Sequence, residues 1–145
     1  MTDNQWFYPA QASTIRKGGY ILIRDRPCKV IDMSTSKTGK HGHAKINFTA
    51  TDIFTEKKME DICQSTHNLN VPEVKKREYQ LLDISDDGFL TIFDEETNES
   101  TEDQKLRDKK LDLEIIKLFE NGKELVVTII YAMGESAVVD YKEIK

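Results

Sequence analysis

Residues 44–51 read Ala44-Lys-Ile-Asn-Phe-Thr-Ala-Thr51, and apolar and polar side chains alternate along the whole stretch. Because successive side chains of a β-strand point to opposite faces, this alternation predicts a strand with one buried and one exposed face. The apolar run Val30–Met33 lies upstream across a short polar segment, so we expect the two runs to pair as an antiparallel hairpin.

Further β-rich runs surround this hairpin. Tyr20–Arg24 and Cys28–Met33 flank Asp25-Arg26-Pro27, where the fixed φ of proline predicts a tight turn that ends the pairing. Shorter runs at Ile53-Phe54 and Met59–Cys63 bring the first half to about five predicted strands with no helix pattern.

A change in both strand pattern and charge near His67–Val74 predicts a domain boundary. The strand pattern breaks at Pro72, and the charge balance inverts there. Residues 1–72 carry ten Lys/Arg against seven Asp/Glu, whereas residues 73–145 carry eleven against nineteen. We therefore predict two domains, 1–72 and 73–145, of which the first is mildly basic and the second acidic.

The order of strand and helix patterns in the second half predicts a small Greek-key barrel. An Asp-Gly pair within Ser85–Gly88 joins two apolar runs, which is a strong hairpin signal. The acidic segment Asp94–Asp108 is interpreted as a mobile loop. The remaining predicted elements are strands at Tyr79–Ile84, Phe89–Phe93, Leu125–Tyr131 and Ala137–Tyr141, and a helix at Leu111–Phe119 that ends at Asn121-Gly122. One helix before the final strands suits an OB-fold, so the predicted fold class is mainly β, with two small β-barrel domains.

Composition narrows the class of protein. The chain of 145 residues is 38% hydrophobic and 32% charged, and no apolar run approaches the roughly 20 residues of a membrane helix. The opening MTDNQWFYPA lacks a secretory pattern, so we expect a cytosolic protein. Cys28 and Cys63 lie in apolar-patterned segments and are interpreted as buried, reduced thiols.

The segment Ser34–Lys45, STSKTGKHGHAK, holds no large apolar side chain and concentrates cations and glycines at the predicted hairpin tip. It lacks the G-x-x-x-x-G-K-[ST] spacing of a phosphate-binding loop and is followed by a strand rather than a helix. His41 and His43 could share a metal, but a third ligand is missing nearby because His67 lies in another segment. No serine or cysteine sits in a nucleophile motif. The glycines leave the backbone around Lys40 accessible, and the lysines supply charge for phosphate.

The run Met33–Lys45 resembles the hypusine loop of the eukaryotic translation initiation factor 5A family, a relative of bacterial elongation factor P. The similarity continues through Arg26–Lys29, Asp52–Thr55, Glu60–Cys63 and Ser65–Asn68, and it extends more loosely over the second half, covering nearly all of residues 13–145. Asp25, where the family has glycine, and Gln64, where it has proline, depart from the pattern.

The resemblance implies an SH3-like first domain and an OB-fold second domain. It also implies that Lys40 becomes hypusine, through deoxyhypusine synthase with spermidine as donor and then deoxyhypusine hydroxylase. Around Lys40 we expect contacts to RNA or to these enzymes from the other functional residues of the segment: Lys37, Thr38, Gly39, His41, Gly42, His43 and Lys45.

The resemblance further implies a ribosome-bound factor that contacts rRNA, ribosomal proteins and peptidyl-tRNA. The modified lysine would lie near the tRNA acceptor end and promote peptide-bond formation at stalling sequences such as polyproline, which would support elongation and termination. No catalytic residue, metal, other cofactor or membrane contact is expected, and the implied location is the cytoplasm, with a nuclear pool left open. The alternatives are an RNA-binding or adaptor module with unmodified Lys40 and, ranked last, an enzyme.

Overall fold

The computed structural model describes residues 6–37, 44–107 and 109–144. The chain divides into two compact units, residues 1–74 with 132–134, and residues 75–131 with 135–145. The architecture is mainly β with one α-helix, as the sequence predicts. Across the described ranges, no helix is both long and apolar enough to cross a membrane.

The first unit is built from six strands and a short 3-10 turn at Ala12–Thr14. A four-stranded antiparallel sheet has the order β2-β3-β4-β5, and β1 pairs with β6 in a second, two-stranded sheet. The strands are β1 Phe7–Gln11, β2 Tyr20–Ile23, β3 Arg26–Lys37, β4 Ala44–Asp52, β5 Lys58–Gln64 and β6 Asn68–Pro72. The core contains the predicted inward side chains of β4, Ile46, Phe48 and Ala50, together with Ile21, Ile23, Cys28 and Val30.

The predicted pairing of the Val30–Met33 run with β4 is confirmed, but β3 is longer than predicted because it begins at Arg26. The prediction that Pro27 ends the pairing is wrong. Pro27 pairs with Leu22 inside the β2–β3 hairpin, and the turn is Arg24-Asp25, both at positive φ. Strand β4 ends at Asp52 opposite Cys28, so the missing N–H of Pro27 removes no hydrogen bond to β4.

The predicted strand at Ile53-Phe54 is also wrong, because Asp52 folds the chain into a turn. The Asp52 carboxylate accepts hydrogen bonds from the backbone N–H groups of Phe54 at 2.8 Å and Thr55 at 3.1 Å. Its backbone carbonyl accepts from Glu56 N, and Glu56 has a φ of 64°. Arg26 closes the arrangement with an Nε–Oδ2 distance of 2.7 Å. An aspartate that bonds to the backbone two residues on is a known turn former.

The second unit has five strands and a helix. The strand order is β11-β10-β7-β8-β9, with α1 between β9 and β10 in the chain, which is the arrangement of the predicted OB-fold. The elements are β7 Lys75–Ile84, β8 Phe89–Asp94, β9 Glu99–Lys105, α1 Lys110–Glu120, β10 Leu125–Ala132 and β11 Glu135–Glu143. Ile115 of α1 is fully buried with Leu90, Leu125, Val127 and Ile129. The predicted Ser85–Gly88 turn and the helix end at Asn121-Gly122 are confirmed.

The interpretation of Asp94–Asp108 as a mobile loop is wrong over most of its length, because β9 pairs with β8. The turn between them repeats the Asp52 arrangement, since Asp94 Oδ1 accepts from Glu96 N at 2.9 Å and Asp94 O accepts from Asn98 N at 2.8 Å. Arg77 forms the matching ion pair with Asp94. Hydrogen bonding at the turn thus starts a strand whose sequence is almost entirely polar.

Candidate functional site

The candidate site is the β3–β4 hairpin of the first unit. Its last described pair is Lys37 with Ala44, preceded by Ser36 with Lys45. The predicted site residues Thr38, Gly39, Lys40, His41, Gly42 and His43 form the connection between these strands and lie outside the described residues. The structure therefore places the two arms of the segment, and Lys37 and Lys45 are the predicted site residues that can be located.

Core packing anchors the β4 arm. Ile46 is 4% and Phe48 is 1% exposed, whereas Lys45 and Asn47 between and beside them are exposed. On its other edge β4 pairs with β5 as far as Lys45 opposite Gln64. The next hydrogen bond, from Ser65 N to Ala44 O at 2.8 Å, extends this support to the first residue of the strand. The β4 arm is thus held by both packing and pairing up to its junction with residues 38–43.

Lys37 and Lys45 lie on opposite faces of the hairpin. Directly paired residues of an antiparallel ladder project from the same face, and faces alternate along a strand. Lys37 pairs with Ala44, which shares the face of the buried Ile46 and Phe48, whereas Lys45 lies on the opposite face with Ser36. Both lysines are exposed. The arms therefore present one cation to each side.

The register that produces this arrangement depends on a β-bulge. Pairing shifts between Val30 and Asp32, so that Ile31 is an extra residue in β3. A bulge of one residue moves every later side chain of that strand to the other face relative to an unbroken ladder. Without it, Lys37 would share a face with Lys45.

The third histidine does not join the site. His67 is exposed in the turn after β5, and its backbone carbonyl accepts a hydrogen bond from Ala12 N at 2.9 Å. Within residues 6–37, 44–107 and 109–144, no three side chains of the His, Cys, Asp and Glu types are grouped as metal ligands. His41 and His43 lie outside these ranges, so the sequence-based view of them stays a prediction.

The two thiols differ in burial. Cys28 is fully buried in the first core, and burial raises the pKa of its thiol to about 11. Cys63 is half-buried, so the interpretation as a buried thiol is confirmed for Cys28 and is wrong in degree for Cys63. Both are free thiols.

The second unit contains polar features that the sequence did not suggest. A surface cavity of about 480 Å³ is lined by Arg77, Tyr79, Phe93 and Asp94, among others. Burial alone would raise the pKa of Asp94, but the hydrogen bonds from Glu96 N and Arg77 outweigh it and lower the pKa. The Arg77–Asp94 ion pair therefore stabilises the β8–β9 turn of this unit. The Arg77–Asp94 ion pair resembles the Arg26–Asp52 pair, because in both an arginine faces an aspartate that begins a turn. This parallel is the one signal that could have revealed the pair.

A pair of tyrosines lies in the same unit. The hydroxyls of Tyr79 and Tyr131 are 2.6 Å apart across neighbouring strands. Burial and this hydrogen bond raise the pKa of Tyr131. The Tyr131 hydroxyl therefore remains protonated at physiological pH, and the hydrogen-bonded pair cross-links β7 and β10.

Comparisons with known proteins match both halves of the chain to the same family. Residues 6–67 match the family model "Translation initiation factor 5A-like, N-terminal", and residues 73–142 match "Eukaryotic elongation factor 5A hypusine, DNA-binding OB fold". Eukaryotic translation initiation factor 5A-1 of Saccharomyces cerevisiae is 54% identical over 136 residues, which cover 94% of this chain and 85% of that protein. The protein of the same name from Arabidopsis thaliana is 54% identical over 139 residues, covering 94% and 87%.

Solved structures show the same two-domain fold. A translation initiation factor 5A family protein from Naegleria fowleri superposes with a TM-score of 0.85 at 43% identity, covering 95% of this chain and 99% of that one. The factor 5A of Methanococcus jannaschii gives a TM-score of 0.76 at 25% identity, covering 98% and 99%.

An N-terminal β-domain with a basic hairpin, joined to an OB-fold, defines a class of translation factor characterised by hypusine, a modified lysine. The chain belongs to the eukaryotic translation initiation factor 5A family. The family names describe a translation factor and name no catalytic activity.

Proposed function

We propose that this chain binds the ribosome and, through hypusine on Lys40, promotes peptide-bond formation at stalling sequences such as polyproline, and thereby supports elongation and termination. Its partners are rRNA, ribosomal proteins and peptidyl-tRNA, and deoxyhypusine synthase and hydroxylase act on it beforehand. We place it in the cytoplasm. The functional domains are 1–72, which carries segment 34–45, and 73–145.

The observation that supports this proposal is the register of the β3–β4 hairpin. Lys37 and Ala44 close the described ladder, and Lys40 falls in the six-residue connection between them. The nine residues of β4 span about 30 Å at the usual rise per strand residue. Most of β4 packs in the core as far as Ile46, so the ribbon is firmly anchored and its end at Ala44-Lys45 can hold a modified lysine at a defined distance from that core.

The modification lengthens the side chain and adds a second amine. In the first step a C–N bond of spermidine breaks, its aminobutyl group forms a new C–N bond to Lys40 Nζ, and the amine proton leaves with 1,3-diaminopropane. The hydroxylase then converts a C–H bond of the added group to C–OH, with molecular oxygen as the oxidant and two electrons from a reductant, so that the second oxygen atom leaves as water. The resulting long dication can position a tRNA acceptor end, and positioning of reactants alone lowers a barrier substantially. The reaction centre belongs to the ribosome, so we assign no catalytic residue, metal or other cofactor to this chain.

The charge of the first domain supports contact with RNA. Residues 1–72 carry a net positive charge, while residues 73–145 carry a net negative one. Lys37 and Lys45 project from the two faces of the hairpin, so phosphates on either side can be neutralised. Such contacts position a protein without reading base sequence. We propose the same for Thr38, Gly39, His41, Gly42 and His43, with contact to RNA or to the modifying enzymes.

The proposal is tested by reconstituted translation of a reporter containing consecutive prolines. Fully modified protein should relieve the stall, and a Lys40→Arg variant, which keeps one charge but cannot be modified, should not. Equal activity of the variant and the modified protein would contradict the proposal. A reporter without prolines serves as the control, because neither protein should change its yield.

A further inference from the structure

Strand β3 has an open edge along the part that leads to Lys40. Strand β2 pairs with it from Arg26 to Lys29, and Val30 exchanges hydrogen bonds of 2.8 Å with Gly18 and Gly19. From Ile31 to Lys37, β3 pairs with β4 on one side, and no described strand pairs with its other side. This stretch is therefore an edge strand.

The hydrogen bonds of β4 establish which backbone groups face that edge. Ala44 O accepts from Ser65 N, and Asp52 N donates to Lys57 O at 2.9 Å, so both ends of β4 bond toward β5 through even-numbered residues. Backbone groups of successive strand residues point to opposite edges. The even-numbered residues of β4 therefore bond to β5, and the odd-numbered residues bond to β3.

The odd-numbered residues of β4 meet Ser34 and Ser36 of β3. These two serines consequently use their backbone groups on β4, and Met33, Thr35 and Lys37 direct theirs away from it, to the open edge. Thr35 and Lys37 are exposed and Met33 is partly buried. The open edge thus presents donors and acceptors in alternation, two residues apart.

One of these groups is already satisfied within the strand. Met33 N donates to the carboxylate of Asp32 at 2.9 Å. On the far edge of the same sheet, Ile62 N donates to Asp61 in the same way, also at 2.9 Å. Charged side chains of this kind blunt edge strands against pairing with other chains. No comparable side chain caps Thr35 or Lys37 among the described contacts, so protection ends where the hairpin approaches Lys40.

We propose that the open edge at Met33–Lys37 is the docking site of deoxyhypusine synthase, which adds an extended segment of its own as a fifth strand of this sheet. This inference rests on the proposed function, because it names the surface by which the enzyme that modifies Lys40 recognises the chain.

Recognition of a single lysine requires contacts beyond its amine. The chain contains sixteen lysines, and most described ones are exposed, so the amine alone does not distinguish Lys40. A strand docked at Thr35 would lie five residues from Lys40 in the chain, on the β3 arm that leads to it. Main-chain hydrogen bonding to an exposed edge is a recurrent mode of recognition that is independent of side chains.

The chemistry of the edge favours a polypeptide over RNA. Its side chains are mostly hydroxyls, with Lys37 as the cation and Asp32 as the anion. Alternating N–H and C=O groups match an extended chain, whereas a phosphate backbone supplies acceptors alone. A second copy of this chain offers the same groups and is distinguished by the test.

The test substitutes Thr35→Pro. Because Thr35 N–H faces the open edge, proline removes that donor and obstructs the edge while the bonds to β4 remain. Glu60→Pro is the matched control. Glu60 pairs with Thr49, an odd-numbered residue of β4, so its N–H likewise faces outward, on the far edge of the same sheet. Circular dichroism and thermal unfolding verify that both variants fold.

Unmodified proteins are then compared as substrates of purified deoxyhypusine synthase with labelled spermidine. Thr35→Pro should raise KM about tenfold or more with kcat unchanged, the loss expected when a hydrogen-bonded edge is blocked, and Glu60→Pro should keep the wild-type KM. Should Thr35→Pro not fold, amide exchange of the wild-type chain gives the answer, since bound synthase should slow exchange at Thr35 and Lys37.

The inference would be overturned by a wild-type KM for Thr35→Pro, by an equal rise in KM for Glu60→Pro, by no slowing of exchange at Thr35, or by a wild-type dimer that Thr35→Pro dissociates. Normal modification of Thr35→Pro with lost ribosome binding would assign the edge to the ribosome and overturn it as well. Failure of the proposed function is separate, because it would appear as wild-type protein that the synthase leaves unmodified.

Discussion

Asp52 offers the sharpest test of how the turn at the end of β4 is stabilised. Its side chain is 3% exposed, and it accepts hydrogen bonds from Arg26 Nε at 2.7 Å, Arg26 Nη2 at 3.2 Å and the N–H groups of Phe54 and Thr55. Burial alone would raise its pKa, but these bonds outweigh burial and lower the pKa from 3.8 to about 2. A shift of this size corresponds to about 2 kcal/mol of folding free energy.

A carboxylate with a lowered pKa in the folded state stabilises the protein above its unfolded pKa, and that stability is lost as pH falls toward the folded value. Asp52→Asn should therefore lower the free energy of unfolding by about 2 kcal/mol at about pH 6, and the difference from wild type should vanish between about pH 4 and about pH 2. Urea unfolding of both proteins at each pH measures the free energy of unfolding. The signal is the fluorescence of Trp6, which is the single tryptophan and belongs to the first unit. Glu60→Gln, which removes an exposed carboxylate, is the control. A wild-type stability for Asp52→Asn at about pH 6, or a difference that does not change with pH, would refute the reasoning.

Three further predictions concern the backbone, the thiols and the second core. Asp25 has a φ of 66°, a conformation that costs non-glycine residues about 1 kcal/mol, so Asp25→Gly should raise the urea midpoint, and a lower midpoint would count against the assigned turn. Burial should keep Cys28 unreactive toward a thiol reagent in native protein, while the half-buried Cys63 reacts first; peptide mapping shows the order, and early labelling of Cys28 would contradict its placement. Ile115→Ala should destabilise the second unit by about 3 kcal/mol in chemical unfolding, and a loss below about 1 kcal/mol would mean that the helix is not packed as described.

The sequence predicted the elements in which local pattern and tertiary packing agree. Strand β4 alternates because one of its faces is buried in a core, so its existence and its pairing with β3 could both be derived. The helix ended where Asn121-Gly122 predicted, since Gly122 adopts the positive φ that terminates helices. The turn at Asp87-Gly88 was predicted for the same reason, since Gly88 also adopts a positive φ.

Elements that depend on distant partners could not be derived in this way. Strand β6 alternates polar and apolar residues over Asn68–Val71, but the run is only four residues long and ends at Pro72, and its partner β1 is more than fifty residues away in the chain. Strand β9 is polar on both faces, and the hydrogen bonds of Asp94 start it. Strand β9 therefore carries no hydrophobic period, and in β6 that period covers four residues only.

The residues of the candidate site stay a prediction from the sequence, whereas the geometry of its two arms came from the structure. Segment 34–45 could be identified from its composition and its resemblance to a family. The placement of Lys37 and Lys45 on opposite faces follows from the bulge at Ile31, and a bulge leaves no mark in the hydrophobic pattern of so polar an arm. The open edge of β3 likewise became visible once the extent of β2 was known.

The central claim is that Lys40 is the hypusine site, and mass spectrometry of the peptide that contains it tests this most directly. Protein isolated from its native cells, or co-produced with deoxyhypusine synthase and hydroxylase, should carry one added hydroxylated aminobutyl group on Lys40. The fragment ions should place no such mass on Lys37 or Lys45. An unmodified Lys40 in protein from the native cells, or the added group on another lysine, would contradict the account.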